Sequence, residues 1–226
     1  MKYLIVLLVS IGCVFSGSAF AQQQFFASPD EAVKALQVAT EVKDKAALNK
    51  IFGPQLKDLL TGDKVQDTKN ARKFATVMEQ GYTLVNEGAD RITVEVGAIN
   101  WPMPIPLVRS NGKWYFDTAA GKEEIINRHI GKDELHAIGV CRAYVTTKNL
   151  AFQSQPFHGY FFKILKGQAL VAYPAYWDHS GVMTFIVNQK GQVFQQNLGP
   201  KTARIAGAMK EYNSNSKWTL VQDEGY

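Results

Sequence analysis

The stretch Trp114–Tyr144, WYFDTAAGKEEIINRHIGKDELHAIGVCRAY, most constrains the fold, because within it an alternating strand pattern hands over to the longest helical pattern in the chain. Trp114 and Phe116 face one way and Tyr115 and Asp117 the other, as side chains do along a strand. Beyond Gly121 the helical period runs to about Asn149, with Gly131 as a point where it could break. A chain with this handover at its centre needs one packed layer before it and another after it.

The segment before the handover opens with helices. Ser28-Pro29-Asp30-Glu31 supplies an N-cap, a proline at the first helical position and a glutamate three residues after the cap. That helix is expected to bury Ala32, Val33, Leu36 and Ala39 or Thr40, while the preceding Gln22–Ala27 reads as a frayed lead. Asp44 caps a second helix that Gly53-Pro54 stops, a turn or two ends at Gly62, and Asp67 starts a third helix carrying Ala71, Phe74, Val77 and Met78. From Tyr82 the period becomes alternating, with Ile92, Val94 and Val96 on one face. Prolines at 102, 104 and 106 demand an edge or a bulge, and Asn111-Gly112 makes a tight hairpin turn. Helices followed by a curved antiparallel sheet resemble the cone-shaped nuclear-transport-factor-2-like superfamily, a likeness that implies a pocket between sheet and helices. Tyr82, Trp101, Trp114, Tyr115 and Asp117 are its candidate lining, although Asp117 also stands where a helix cap belongs.

After the handover, Leu135, Ile138, Cys141, Val145 and Phe152 give the long helix an apolar face, on which Cys141 packs as a small hydrophobe. GYFFKIL, QALVAYP, GVMTFIVN and QVFQQN read as strands, Asn188–Gly191 closes a hairpin, and Gly199-Pro200 opens a last helix through Ile205, Ala208, Met209 and Tyr212. The expected class is therefore α+β, with an N-terminal subdomain over 22–120 and the long helix packed on a second small antiparallel meander over 121–226.

The first residues, MKYLIVLLVSIGCVFSGSAFA, combine Lys2, an apolar run from Tyr3 to Phe15 and small residues at Ala19 and Ala21. They read as a signal peptide cut after Ala21, because the apolar run falls short of the ~20 residues a spanning helix needs. The expectation is a periplasmic or secreted protein with no membrane span after cleavage. Cleavage removes Cys13, so Cys141 would remain alone and no internal disulfide could form. A formal charge of +5 is dispersed rather than concentrated in a basic block, which excludes a nucleic-acid groove.

Chemistry is sparse in this sequence. His129, His136, His158 and His179 lack close ligand spacing, and His129 and His136 lie ~10.5 Å apart along a helix, too far to share one ion easily. No metal and no cofactor is expected. No phosphate loop or nucleophile elbow is present, and His179-Ser180-Gly181 reads as a surface turn. Glu123-Glu124 and Asp133-Glu134, set among Lys122, Arg128 and Lys132, read as a solvated helix face. Asp117, Arg128, His129, Arg142, His158 and Tyr160 are the polar residues that could converge on an anion or on acid–base work.

SPDEAVKAL, WPMPIPLVRSNGKWYFDTAAGKEEIINRHIG, ELHAIGVCRAYV, HGYFFKIL and SGVMTFIVNQKGQVFQQNLGP together resemble the secreted bacterial domain-of-unknown-function family numbered 2950. The resemblance implies an envelope protein and names no activity. Relative to that family, Lys166-Gly167-Gln168 stands in place of a longer glycine-rich excursion. The expected function is a non-catalytic binding or interaction module, with an envelope protein or a small ligand as partner. Its candidate contacts are Trp101, Trp114, Asp117, Arg128, His129, Arg142, His158 and Tyr160. The alternative is a hydrolase or lyase using His129 or His158 with Asp117, and no residue is assigned a catalytic role.

Overall fold

A computed structural model describes residues 23–60, 63–150, 155–212 and 217–222. The leader with its cleavage point, Gly62 and Phe152 lie outside the described residues. The chain is α+β and divides into two compact units, Met1–Thr118 and Ala119–Tyr226.

In the first unit, α1 (Pro29–Glu41) starts where the cap signals place it. Ser28 accepts a hydrogen bond from the Glu31 amide, and the Glu31 carboxylate reaches back to accept from the Ala27 amide. Ala39 and Thr40 are both buried, with the Thr40 hydroxyl donating to the Leu36 carbonyl. Asp44 caps α2 (Lys45–Phe52) by accepting from the Ala46 and Ala47 amides, and Gly53, at φ 71°, ends it in a backbone region that favours glycine. The third helix, α3 (Lys64–Glu79), begins earlier than Asp67 because Asp63 is its cap, accepting from Val65 and Gln66. Only Met78 of α3 is buried; Phe74 and Val77 are half-buried and Ala71 is exposed.

The sheet of this unit is antiparallel, with β1 (Tyr82–Asn86), β2 (Arg91–Val96), β4 (Leu107–Ser110) and β5 (Lys113–Phe116) in that order, and β3 (Trp101–Pro102) on the end of β2. The prolines confine β3 to two residues. Asn111 and Gly112 both have positive φ, as the β4–β5 hairpin turn requires. Ile92, Val94 and Val96 pack with Leu36, Ile51, Leu107 and Phe116 in one core. The lead is not frayed. Phe26 is buried and exchanges two 2.8 Å backbone bonds with Trp114, and the Gln23 side chain donates to the Phe116 and Ile51 carbonyls. An apolar Phe at position 26 gains more from covering the open edge of β5 than the polar residues around it lose by being ordered.

In the second unit, α4 (Thr118–Thr147) is one helix of 30 residues, unbroken at Gly131. A simple meander follows, β6 (Tyr160–Ile164), β7 (Leu170–Pro174), β8 (Thr184–Val187), β9 (Val193–Gln196) and β10 (Thr219–Leu220), each strand paired antiparallel to the one before. One sheet face packs Leu170, Phe185 and Val187 against Ala137, Cys141 and Tyr144 of α4. The other packs Val171 and Ile186 against Ala206 of α5 (Thr202–Ala208). All four residues of β8 are buried because both faces of the sheet are covered. The last helix is shorter than its apolar pattern suggests, ending at Ala208, and Ile205 is exposed while Thr202 and Ala206 face inward.

Two corrections concern α4. Leu135 is 57% exposed, so it lies off the apolar face that Cys141 anchors. From Ile130 on, the buried positions are instead Ile130, Asp133, Ala137, Cys141 and Tyr144, a series of three- and four-residue steps that includes a carboxylate.

Burial pushes the Cys141 thiol up to about 12, well above its ordinary range. The folded protein therefore keeps this proton where the unfolded chain releases it, and stability falls as pH rises from about 9 toward 12. At pH 8 the Cys141 peptide is expected to resist iodoacetamide in the native protein and to label fully in urea, as read by peptide mass mapping. Rapid native labelling would place the thiol at the surface instead.

Candidate functional site

The candidate contacts of the first unit do not form one pocket. Trp101, 38% exposed on β3, lines a groove of about 520 Å³ with Phe74 and Val77 of α3 and with Ile99, which is 83% exposed. Trp114 lies in the core, the Tyr82 hydroxyl is engaged with the Asp30 carboxylate at 3.0 Å, and Tyr115 packs on Phe25 with the rings tilted by 49°. Asp117 immediately precedes α4, with its backbone amide donating to the Pro106 carbonyl.

In the second unit, Arg128 pairs with Glu124 across one helical turn at 2.7 Å, the surface ion pair that a solvated face provides, and Arg142 is exposed beside buried Cys141. Asp133 and Glu134 depart from that reading. Asp133 is only 4% exposed, and its Oδ2 lies 3.2 Å from Nε2 of exposed His129, one turn earlier on α4. The Glu134 Oε1 accepts from the Val182 and Met183 amides, both at 2.9 Å, and so ties the segment before β8 to the helix.

His158 reaches this place through a turn. Phe157 and Tyr160 exchange two backbone bonds, and between them His158 and Gly159 both have positive φ, 44° and 70°. That is the two-residue hairpin connection in which glycine is favoured and histidine tolerated. A side chain at Gly159 would collide with both the Asp133 carboxylate and Ser180, so glycine is what lets this turn close onto α4. The His158 ring stacks on His136 with centroids 4.0 Å apart and planes at 20°, with Phe157 against its edge.

The result is a polar cluster in which one ligand atom each from Asp133, His136 and His158 lies within 4.8 Å of the others. The Nδ1 of His136 is buried without a hydrogen-bond partner. Tyr160 lies close to the carboxylates of Glu134 and Asp133. Its hydroxyl donates to the Met183 carbonyl at 2.9 Å, and burial, followed by the charges of Glu134 and Asp133, pushes it above its ordinary range and keeps it a neutral donor. Gly181 is the reason the hydroxyl fits, since a Cβ there would overlap the Tyr160 ring.

Of the eight sequence candidates, His129, His158 and Tyr160 come together, joined by Asp133, Glu134 and His136, which sequence reasoning did not select. The carboxylate that reaches His129 is that of Asp133, four residues along its own helix. Among the described residues, two nucleophiles near the cluster are engaged or sealed. Ser180 Oγ accepts from the Tyr176 amide and donates to the Tyr176 carbonyl, within the turn expected there, and the Cys141 thiol is buried.

A family model described as "Protein of unknown function (DUF2950)" matches residues 23–150 and 165–221, most of the chain. No curated protein and no solved structure matches it, so the likeness to the nuclear-transport-factor-2-like cone has no confirmation.

Proposed function

The chain belongs to the DUF2950 family of proteins of unknown function, and on that footing we propose that it is an exported, non-catalytic binding protein whose ligand site is the cluster of Asp133, His136 and His158. The observation that carries the reading is the buried Nδ1 of His136, unpartnered and set beside a carboxylate that is itself almost wholly buried. Protein interiors pair their buried polar groups, and an exception marks either a strained site or a place completed by something from outside. Here two independent elements, α4 and the turn before β6, deliver polar groups to one point, with glycines at 159 and 181 permitting the close approach of Asp133 and Tyr160. Such convergence is costly to keep unless a ligand makes use of it.

Export is supported by the leader pattern of Lys2, the apolar run and the small residues Ala19 and Ala21. Among the described residues, no helix is long and apolar enough to cross a membrane. The test is the native mass of the protein recovered from its own envelope fraction. The expected chain begins at Gln22 and carries a bound mass that His136→Leu abolishes. A chain retaining its leader would overturn export, and a bare wild-type chain would overturn binding.

A further inference from the structure

We propose that Asp133, His136 and His158 form a mononuclear site for a divalent first-row transition-metal ion of the zinc type. The proposal rests on the reading of this cluster as a ligand site and names the ligand. Zinc bonds to imidazole nitrogen and carboxylate oxygen at ~2.0–2.2 Å, which sets neighbouring donors about 3.4 Å apart in a tetrahedral site. The three donor atoms already lie within 4.8 Å of one another, so about 1.4 Å at most separates their spacing from that of a tetrahedral site.

Each residue has a distinct part. Asp133 is fixed, held between His129 and the face of Gly159, where no side chain could intervene. His136 offers a nitrogen with no competing hydrogen bond. His158 is the group that must move: in the stacked pair the in-plane lone pairs lie in nearly parallel planes, and an ion requires them to converge. Its position makes that motion cheap, because it is exposed at the tip of a two-residue turn. His129, one turn before Asp133, orients the carboxylate from outside, as groups behind metal ligands do. Three protein donors leave a coordination position for water or for a donor from a partner. Two imidazoles with one carboxylate favour zinc and its first-row neighbours over calcium or magnesium, which require mostly oxygen donors.

The test uses the exported chain without a polyhistidine tag, stripped with a chelator and titrated with zinc by calorimetry and with cobalt by visible absorption. One saturable site per chain is expected, with a cobalt spectrum of low coordination number. Asp133→Asn, His136→Gln and His158→Asn should each weaken zinc binding at least tenfold, whereas His179→Asn, at an exposed position outside the three-residue cluster, should leave it unchanged. His158→Asn keeps the proposal testable if the helix variants misfold, because asparagine tolerates positive φ and the position is exposed. Absence of saturable binding by the wild type, or wild-type affinity in His158→Asn, would overturn the proposal. If metal fails to bind while the envelope-derived protein carries a His136-dependent organic mass, the metal is wrong and the ligand-site reading stands.

Discussion

Gly181→Ala is expected to destabilise the second unit by about 3 kcal/mol, the upper end of what forcing extra atoms into a packed interior costs. The added methyl would sit 2.6 Å from Cε2 of Tyr160 and closer still to its hydroxyl. Tyr160 has no exposed surface into which it could retreat, and its ring packs on Phe185 with centroids 6.0 Å apart. Either the ring or the 181–183 segment must shift, and a shift of that segment breaks the bonds from Val182 and Met183 to Glu134. Urea denaturation followed by circular dichroism gives the cost. Tyr160→Leu removes the obstructing atoms at the expense of a cavity, so the double variant should lose less than the sum of the two single variants. Additive losses would mean that the close approach of Gly181 to Tyr160 is not what the glycine is for.

Glu134→Ala should cost about 2–4 kcal/mol, since it strands two half-buried backbone amides that now share one carboxylate oxygen. The conservative Glu134→Gln keeps an acceptor at the same place and should recover most of that loss, leaving only the difference between a charged and a neutral bond. The same denaturation measurement decides it. If alanine and glutamine cost the same, the charge of Glu134 matters and its acceptor geometry does not. If neither costs anything, water replaces the carboxylate and the segment before β8 is not anchored by it.

Where local chemistry decides structure, the sequence is readable. Ser28 to Glu31 starts α1 because a cap, a proline and an acidic residue each satisfy the same helix end, and Asn111-Gly112 turns the β4–β5 hairpin because both residues accept positive φ. Cys141 reads as buried and is. The errors come from chaining spacings. Leu135, Ile138 and Cys141 are separated by two steps of three, and each step of three falls ~60° short of a full turn, so Leu135 lies ~120° from the thiol and faces solvent. Stepping back from Cys141 by fours instead reaches Ala137 and then Asp133, so the buried carboxylate was legible once the cysteine was taken as the anchor. A charged residue on that face was the available signal. His158 carried none of comparable strength. It lies 22 residues from His136, and only the His158-Gly159 turn and the packing of β6 bring the two rings together. The α+β class survives such errors because it depends on the order of periodicities, whereas a site depends on which residue occupies which face.

Native mass spectrometry of the protein purified from its own cells measures directly whether the cluster of Asp133, His136 and His158 holds something the chain does not itself supply. The expected result is a bound mass on the wild type, the same folded charge-state distribution without that mass for His136→Leu, and an unchanged bound mass for His179→Asn. A wild-type protein with the mass of its bare polypeptide, indistinguishable in occupancy from His136→Leu, would contradict it.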